Sequence, residues 1–269
     1  MSDFLKEMAT ASRARADGVK RTFTSAELDQ PVFPLRLSGF DLIAEIKDKS
    51  PAEGELAIDA GDRCERALRY VDGGAAAISV LTEPARFDGA LAHLEDVVNA
   101  VSSSNTPVMR KDFLIDPVQI LEAKAAGASG VLLIAAMLGD DALLEMLDCA
   151  YGLNLFVLLE SFDATDLERS AQLLQEAKHR DQADRQKLLF GINTRDLRTL
   201  KVDPTRLAEF GPKLPSGVIC IAESGQHSTD DVAAVAKQGY NMALVGTALM
   251  RAEKPADLIG DMLSAGRGV

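Results

Sequence analysis

Eight apolar runs recur along the chain, each followed by a longer amphipathic stretch, and this alternation limits the available folds more than any other feature. The runs are DLIAEIK (41–47), AAAISVLT (75–82), TPVMRKDF (106–113), ASGVLLIAA (128–136), NLFVLLES (154–161), KLLFGINTR (187–195), VICIAESG (218–225) and MALVGTAL (242–249). They are short and rich in Val, Ile and Leu, as strands buried on both faces of a parallel sheet are. The stretches between them include DRCERALRYVDGG, DPVQILEAKAAG, DDALLEMLDCAYG and TDDVAAVAKQG. Most start near Asp, Ser or Thr and several end on Gly, the chemistry of helix caps.

Eight βα units in roughly 230 residues fit a (β/α)8 TIM barrel, an α/β fold that typically takes about 250 residues. A doubly wound open sheet competes, but it usually has fewer strands, and no Gly-x-Gly-x-x-Gly follows the first run. The expected organisation is an N-terminal helical extension over residues 1–40 packed on a single barrel domain spanning 41–269. The extension should hold a helix near residues 2–17 and a loop around Pro31 and Pro34.

Net charge is −12, which argues against nucleic-acid or anionic-membrane partners, since either needs a basic face. It leaves room for an anionic small molecule, because a few Lys and Arg gathered in one pocket are locally positive. Cys64, Cys149 and Cys220 are odd in number and far apart, so they read as small buried hydrophobes. His93, His179 and His227 are equally scattered, and no metal-ligand spacing appears. No run is long enough to cross a bilayer, and the first twenty residues mix charges throughout. A cytoplasmic protein is therefore expected, and a monomer is the simplest reading of a barrel with an acidic exterior.

In IAEIKDKSP (43–51), Glu45 and Lys47 sit two residues apart and therefore on one face of the first strand. In a barrel, alternate residues face the interior, and chemistry collects at the C-terminal strand ends. That parity sends Ile43, Glu45 and Lys47 inward from strand one, and Met109 and Lys111 from strand three. Phe156, Leu158 and Glu160 follow from strand five, Gly191, Asn193 and Arg195 from strand six, and Ile219, Ile221 and Glu223 from strand seven. Any one of these polar groups could be a rim residue reaching solvent. Five strands doing the same point to a pocket, since buried charges are costly unless paired with each other or with a ligand. AESG (222–225) and VGTAL (245–249) put small residues and hydroxyls after strands seven and eight, where such barrels often bind phosphate.

IAEIKDKSP resembles the AEIKxxSP signature of the indole-3-glycerol phosphate synthase family. GGAAAISVLTEPARFDG, PVMRKDF, VLLES, GINTRDLRTL, IAESG and LVGTALM are similar to further segments of that family, in its order. The resemblance implies ring closure of 1-(o-carboxyphenylamino)-1-deoxyribulose 5-phosphate with loss of carbon dioxide and water, needing no metal or organic cofactor. It implies that Lys111 is the general acid at the ketone and Glu160 an acid/base group in dehydration. Lys47 would contact substrate anions or act as a second acid, with Glu45 and Asn193 holding groups in place and Glu223 bordering the site. Ser50, Arg195, Ser224, Gly225, Gly246 and Thr247 would surround the phosphate. Leu81, Phe87, Phe113, Leu132 and Pro51 would form the slot for the benzene ring. The chain departs from the family in SPAEGE, which puts Glu53 and Glu55 into the first βα loop. Two other readings stay open: another phosphate-binding barrel such as a phosphoribosyl isomerase, and a paralogue kept as a binding module.

Overall fold

The computed structural model describes residues 3–50, 54–55, 60–197, 201–203 and 205–269. Eight parallel strands close into a barrel: β1 Asp41–Ile46, β2 Ala77–Leu81, β3 Val108–Lys111, β4 Gly130–Ile134, β5 Phe156–Ser161, β6 Leu188–Asn193, β7 Ile219–Glu223 and β8 Met242–Val245. β1 pairs with both β2 and β8, which seals the sheet and leaves no free edge. Each strand matches one apolar run, trimmed where the parallel ladder runs out.

Two trims change residue assignments. Lys47 and Arg195 stand just beyond β1 and β6, and Arg195–Asp196 instead pairs antiparallel with Lys201–Val202. The run MALVGTAL is not one strand: β8 stops at Val245, and Thr247–Arg251 is a helix, its first turn closed by Met250 N–H donating to Gly246 O at 2.9 Å. A continuous apolar run does not distinguish a strand from the helix that follows it.

Two apolar layers follow the strand parity. Ile43, Met109, Leu132, Phe156, Leu158, Leu189, Ile221 and Met242 pack inside the barrel. Leu42, Ala44, Ile46, Val131, Leu133, Val157 and Leu159 pack between the strands and the outer helices. Those helices carry the caps their sequences promise. Asp116 caps Pro117–Ala125 with Gln119 closing the reciprocal bond, and Ser228 with Asp231 does the same for Thr229–Lys237. Gly127 and Gly239, just past those two helices, take positive φ of 84° and 96°.

Helix α1 (Asp3–Gly18) packs on the barrel through Leu5 and Met8, which join the interior cluster. Polar bonds fix it to the segment after β3. Arg15 Nη2 donates to Asp112 Oδ1 at 2.7 Å, Arg13 Nη1 to Asp116 Oδ2 at 2.5 Å, and Ser12 Oγ to Phe113 O.

Candidate active site

The C-terminal ends of the strands surround a cavity of about 300 Å³, a size suited to a small organic ligand. Its charged floor is built by parity. Lys111, the last residue of β3, points its ammonium at three carboxyl groups: Glu223 Oε2 at 2.7 Å, Glu160 Oε2 at 3.4 Å and Glu45 Oε2 at 4.0 Å. Lys47 Nζ donates to Glu45 Oε1 at 2.7 Å. Asn193 Nδ2 donates to Glu160 Oε2 at 3.2 Å, while Asn193 Oδ1 accepts from Arg195 N–H at 2.9 Å.

These contacts set the protonation states. Burial works against the Lys111 ammonium, but Glu223, Glu160 and Glu45 outweigh it and hold the amine charged well above its usual range. Burial also pushes Glu45 up, yet Lys47 and Lys111 overcome it and its carboxyl lies below the ordinary range. At Glu223 burial wins, reinforced by nearby Glu160, and its carboxyl is pushed up to about 8 despite Lys111. Two lysines thus face three carboxyl groups, with Arg195 bordering the same cavity. Glu160 Oε1 and Glu223 Oε1 are buried without a hydrogen-bond partner.

Two glycines make room for it. A Cβ at Gly191 would lie 2.0 Å from Glu223 Oε1, and one at Gly246 would lie 2.3 Å from Glu45 Oε1 and 2.8 Å from Lys47 Nζ. The same cavity has an apolar wall of Leu81, Phe87, Phe113 and Leu132, with the Phe87 and Phe113 rings 6.2 Å apart between centroids. Beyond β7, Ser224 and Gly225 turn through positive φ of 63° and 91°, and with Gly246 and Thr247 they border the same cavity. Thr194 Oγ1 donates to Ser224 O at 3.1 Å and braces that turn. Among the described residues no group of three or more His, Cys, Asp or Glu is placed to hold a metal ion, and no helix is long and apolar enough to cross a membrane.

A family model described as indole-3-glycerol phosphate synthase matches residues 21–262. The chain belongs to this family.

Relatives carrying the family's name include a Mycobacterium avium protein, 43% identical over 86% of this chain and 79% of its own length. Another, from Nocardioides, is 40% identical over 88% of this chain and 86% of its own. Among solved structures, 3-hexulose-6-phosphate synthase from Salmonella typhimurium aligns with a TM-score of 0.62 over 84% of this chain and 97% of that one. At 16% identity that likeness concerns the barrel alone.

Of the residues singled out in the sequence, Glu45, Lys47, Lys111, Glu160, Asn193 and Arg195 meet at the cavity, as do the four apolar wall residues and Ser224, Gly225, Gly246 and Thr247. Glu223 stands behind Lys111 rather than on the cavity surface. Pro51 and Glu53 lie outside the described residues, and of Ser50 and Glu55 only the backbone is described, in a two-residue ladder with Gly54 and Lys49 respectively. Other cavity residues went unread: Phe4 from α1, Leu197 and Val202 from the segment after β6, Gln226 and His227 after β7, and Leu244 in β8. Leu244 obeys the strand parity and was within reach of it. Phe4 carries no signal, because only the docking of α1 brings it here, with its ring 6.0 Å from Phe113 and edge-on.

Proposed function

We propose that this chain is an active indole-3-glycerol phosphate synthase, closing 1-(o-carboxyphenylamino)-1-deoxyribulose 5-phosphate to indole-3-glycerol phosphate with release of carbon dioxide and water. One observation carries the reading beyond family membership: the Lys111 ammonium sits among three carboxyl groups and lines the same cavity as a set of apolar side chains. The wall of Leu81, Phe87, Phe113 and Leu132 suits the benzene ring, and the β7 and β8 turns with Arg195 suit the phosphate at the other end. Anchoring both ends folds the chain between them, so the reaction becomes a matter of proximity.

The ring carbon bearing the carboxylate attacks the ketone carbon, and the ketone oxygen takes a proton from Lys111 as it becomes a hydroxyl. Carbon dioxide then leaves with its bonding pair returned to the ring. Lys111 regains a proton from solvent, the one proton consumed as a carboxylate leaves as carbon dioxide. The hydroxyl next departs as water with a proton from the Lys111–Glu160 pair, whose heavy atoms are 3.4 Å apart. Loss of a proton from the carbon beside nitrogen completes the indole, and Glu160 is the base within reach. Lys47 offers a second cation for substrate anions, oriented by Glu45. Asn193 holds Glu160 in place.

The test is indole fluorescence from purified protein and the carboxyphenylamino-deoxyribulose phosphate, with Lys111→Ala alongside. Turnover in the parent, lowered about 10²–10⁴-fold in the variant, is the result expected of a general acid. Binding without turnover would favour a barrel kept as a binding module, and the absence of both turnover and binding would overturn the functional reading.

A further inference from the structure

Lys47 stands one residue past the end of β1, its side chain 13% exposed. Among the described residues the ladder of β1 ends at Ile46, opposite Val80, so no strand pairing fixes the backbone of the next residue. The following residue does something unusual for a loop start. Asp48 turns away from the cavity and accepts a hydrogen bond from Arg63 Nη2 at 2.9 Å, with His93 Nδ1 3.3 Å from the same oxygen. Arg63 comes from the helix Ala60–Asp72 and His93 from the helix Leu91–Val101. The Arg63 side chain is only 4% exposed, and its second contact, Asp96 Oδ2, is longer at 3.5 Å. Burial first, and Arg63 second, hold His93 below its ordinary range against the pull of Asp48 and Asp96, so the ring meets Asp48 as a neutral hydrogen-bonding group at pH 7.

We infer that Asp48, gripped by Arg63 and His93, is a positioning residue for Lys47: it bolts the start of the first βα loop to two outer helices and thereby aims the Lys47 ammonium into the cavity. The geometry is asymmetric in a way that a solvated surface pair is not. A buried guanidinium is held by a carboxylate one peptide away from the cavity lysine, and its Nε is buried without a partner, so Asp48 carries most of the grip. Displacing a substrate-facing group by about 1 Å costs up to roughly 100-fold in rate, which is the scale at which such a bolt matters. The inference rests on the synthase reading for its kinetic consequence, but not for its structural one.

The experiment is a double-mutant cycle in kcat/KM with Asp48→Ala, Lys47→Gln and the pair, with amide hydrogen exchange measured on the same proteins. Asp48→Ala is expected to lower kcat/KM about tenfold or more in the parent, and less than about twofold when Lys47 is already Gln. Exchange over residues 43–50 is expected to quicken about tenfold, with β5 unchanged. Equal losses in both backgrounds, no loss in the parent, or unchanged exchange at 43–50 would each overturn the proposal. Should Asp48→Ala fail to fold, Asp48→Asn keeps the shape and is read the same way. A parent without turnover would sink the synthase reading instead, and the exchange data would then decide the bolt alone.

Discussion

A methyl group at residue 246 would stand 2.3 Å from Glu45 Oε1 and 2.8 Å from Lys47 Nζ, closer than any real carbon contact. Both obstructing atoms are the ends of flexible side chains, so Gly246→Ala should leave the fold intact and break the ion pair. We expect kcat/KM to fall about 10–100-fold while the melting temperature moves by only a few degrees, measured by indole fluorescence and thermal unfolding. Glu223 gives a second residue-scale prediction. Its carboxyl is pushed up to about 8 in the folded protein, against an ordinary value of 4.5. The folded state therefore keeps a proton that the unfolded chain gives up, and this contribution to stability drains away as pH rises from about 4.5 through about 8. Glu223→Gln removes the dependence. Urea unfolding at pH 5 and pH 8 should show the parent losing stability relative to the variant, by something of the order of 2 kcal/mol. A constant difference would mean that Glu223 is ionised throughout.

Helix α1 is the element whose removal should matter most to the cavity. Asp112, next to Lys111, is fully buried and accepts from Arg15, Thr82, Arg110 and its neighbour's backbone N–H. Arg110 in turn donates to Thr82 Oγ1 and to Gln119 O, so one network joins α1, β3 and the helix Pro117–Ala125. Taking away Arg15 leaves Asp112 Oδ1 with a single backbone donor. Arg15→Ala should lower stability by about 1–3 kcal/mol, read as a shift of the urea midpoint at constant slope. An unchanged midpoint would mean that water satisfies the carboxylate.

At the scale of the whole molecule, the last helix fastens the first strand. Arg267, at the end of Pro255–Arg267, donates from Nε to Phe40 O at 3.0 Å and from Nη2 to Asp41 Oδ1 at 2.6 Å. Asp41 is 2% exposed and its other oxygen accepts from Ser38 N–H at 2.7 Å. A Cβ at Gly266 would lie 2.4 Å from the Phe40 ring, so the helix can approach this closely only with glycine there. Since β1 also closes the barrel against β8, the first strand and the last helix hold one another through side chains, and the barrel closes through the sheet. Arg267→Ala should cost about 1–3 kcal/mol and leave unfolding a single transition by both fluorescence and circular dichroism. Separate transitions would mean that the clasp, not the sheet, couples the first strand to the last helix.

The barrel was legible in the residues because its signal is redundant. Strands buried on both faces must be apolar throughout, and the two-residue period then says which of Ile43, Ala44, Glu45 and Ile46 face inward. For the same reason the charged cluster could be read: a carboxylate or ammonium on an inward position of such a strand has few places to go except a shared pocket. What the residues did not contain is anything set by how separate elements dock. Phe4 reaches the cavity only because α1 lies where Arg15, Arg13 and Ser12 tie it. Gly191 reads only as an inward strand position and Gly246 only as a glycine on the phosphate side, until Glu223, Glu45 and Lys47 occupy the space a Cβ would take. Asp48 reads as a polar loop residue until two helices bring Arg63 and His93 against it. Periodicity is a property of one segment, and a chain can carry it in its order of residues. Contact between segments distant in the chain depends on closing the barrel, and only the closed barrel supplies it.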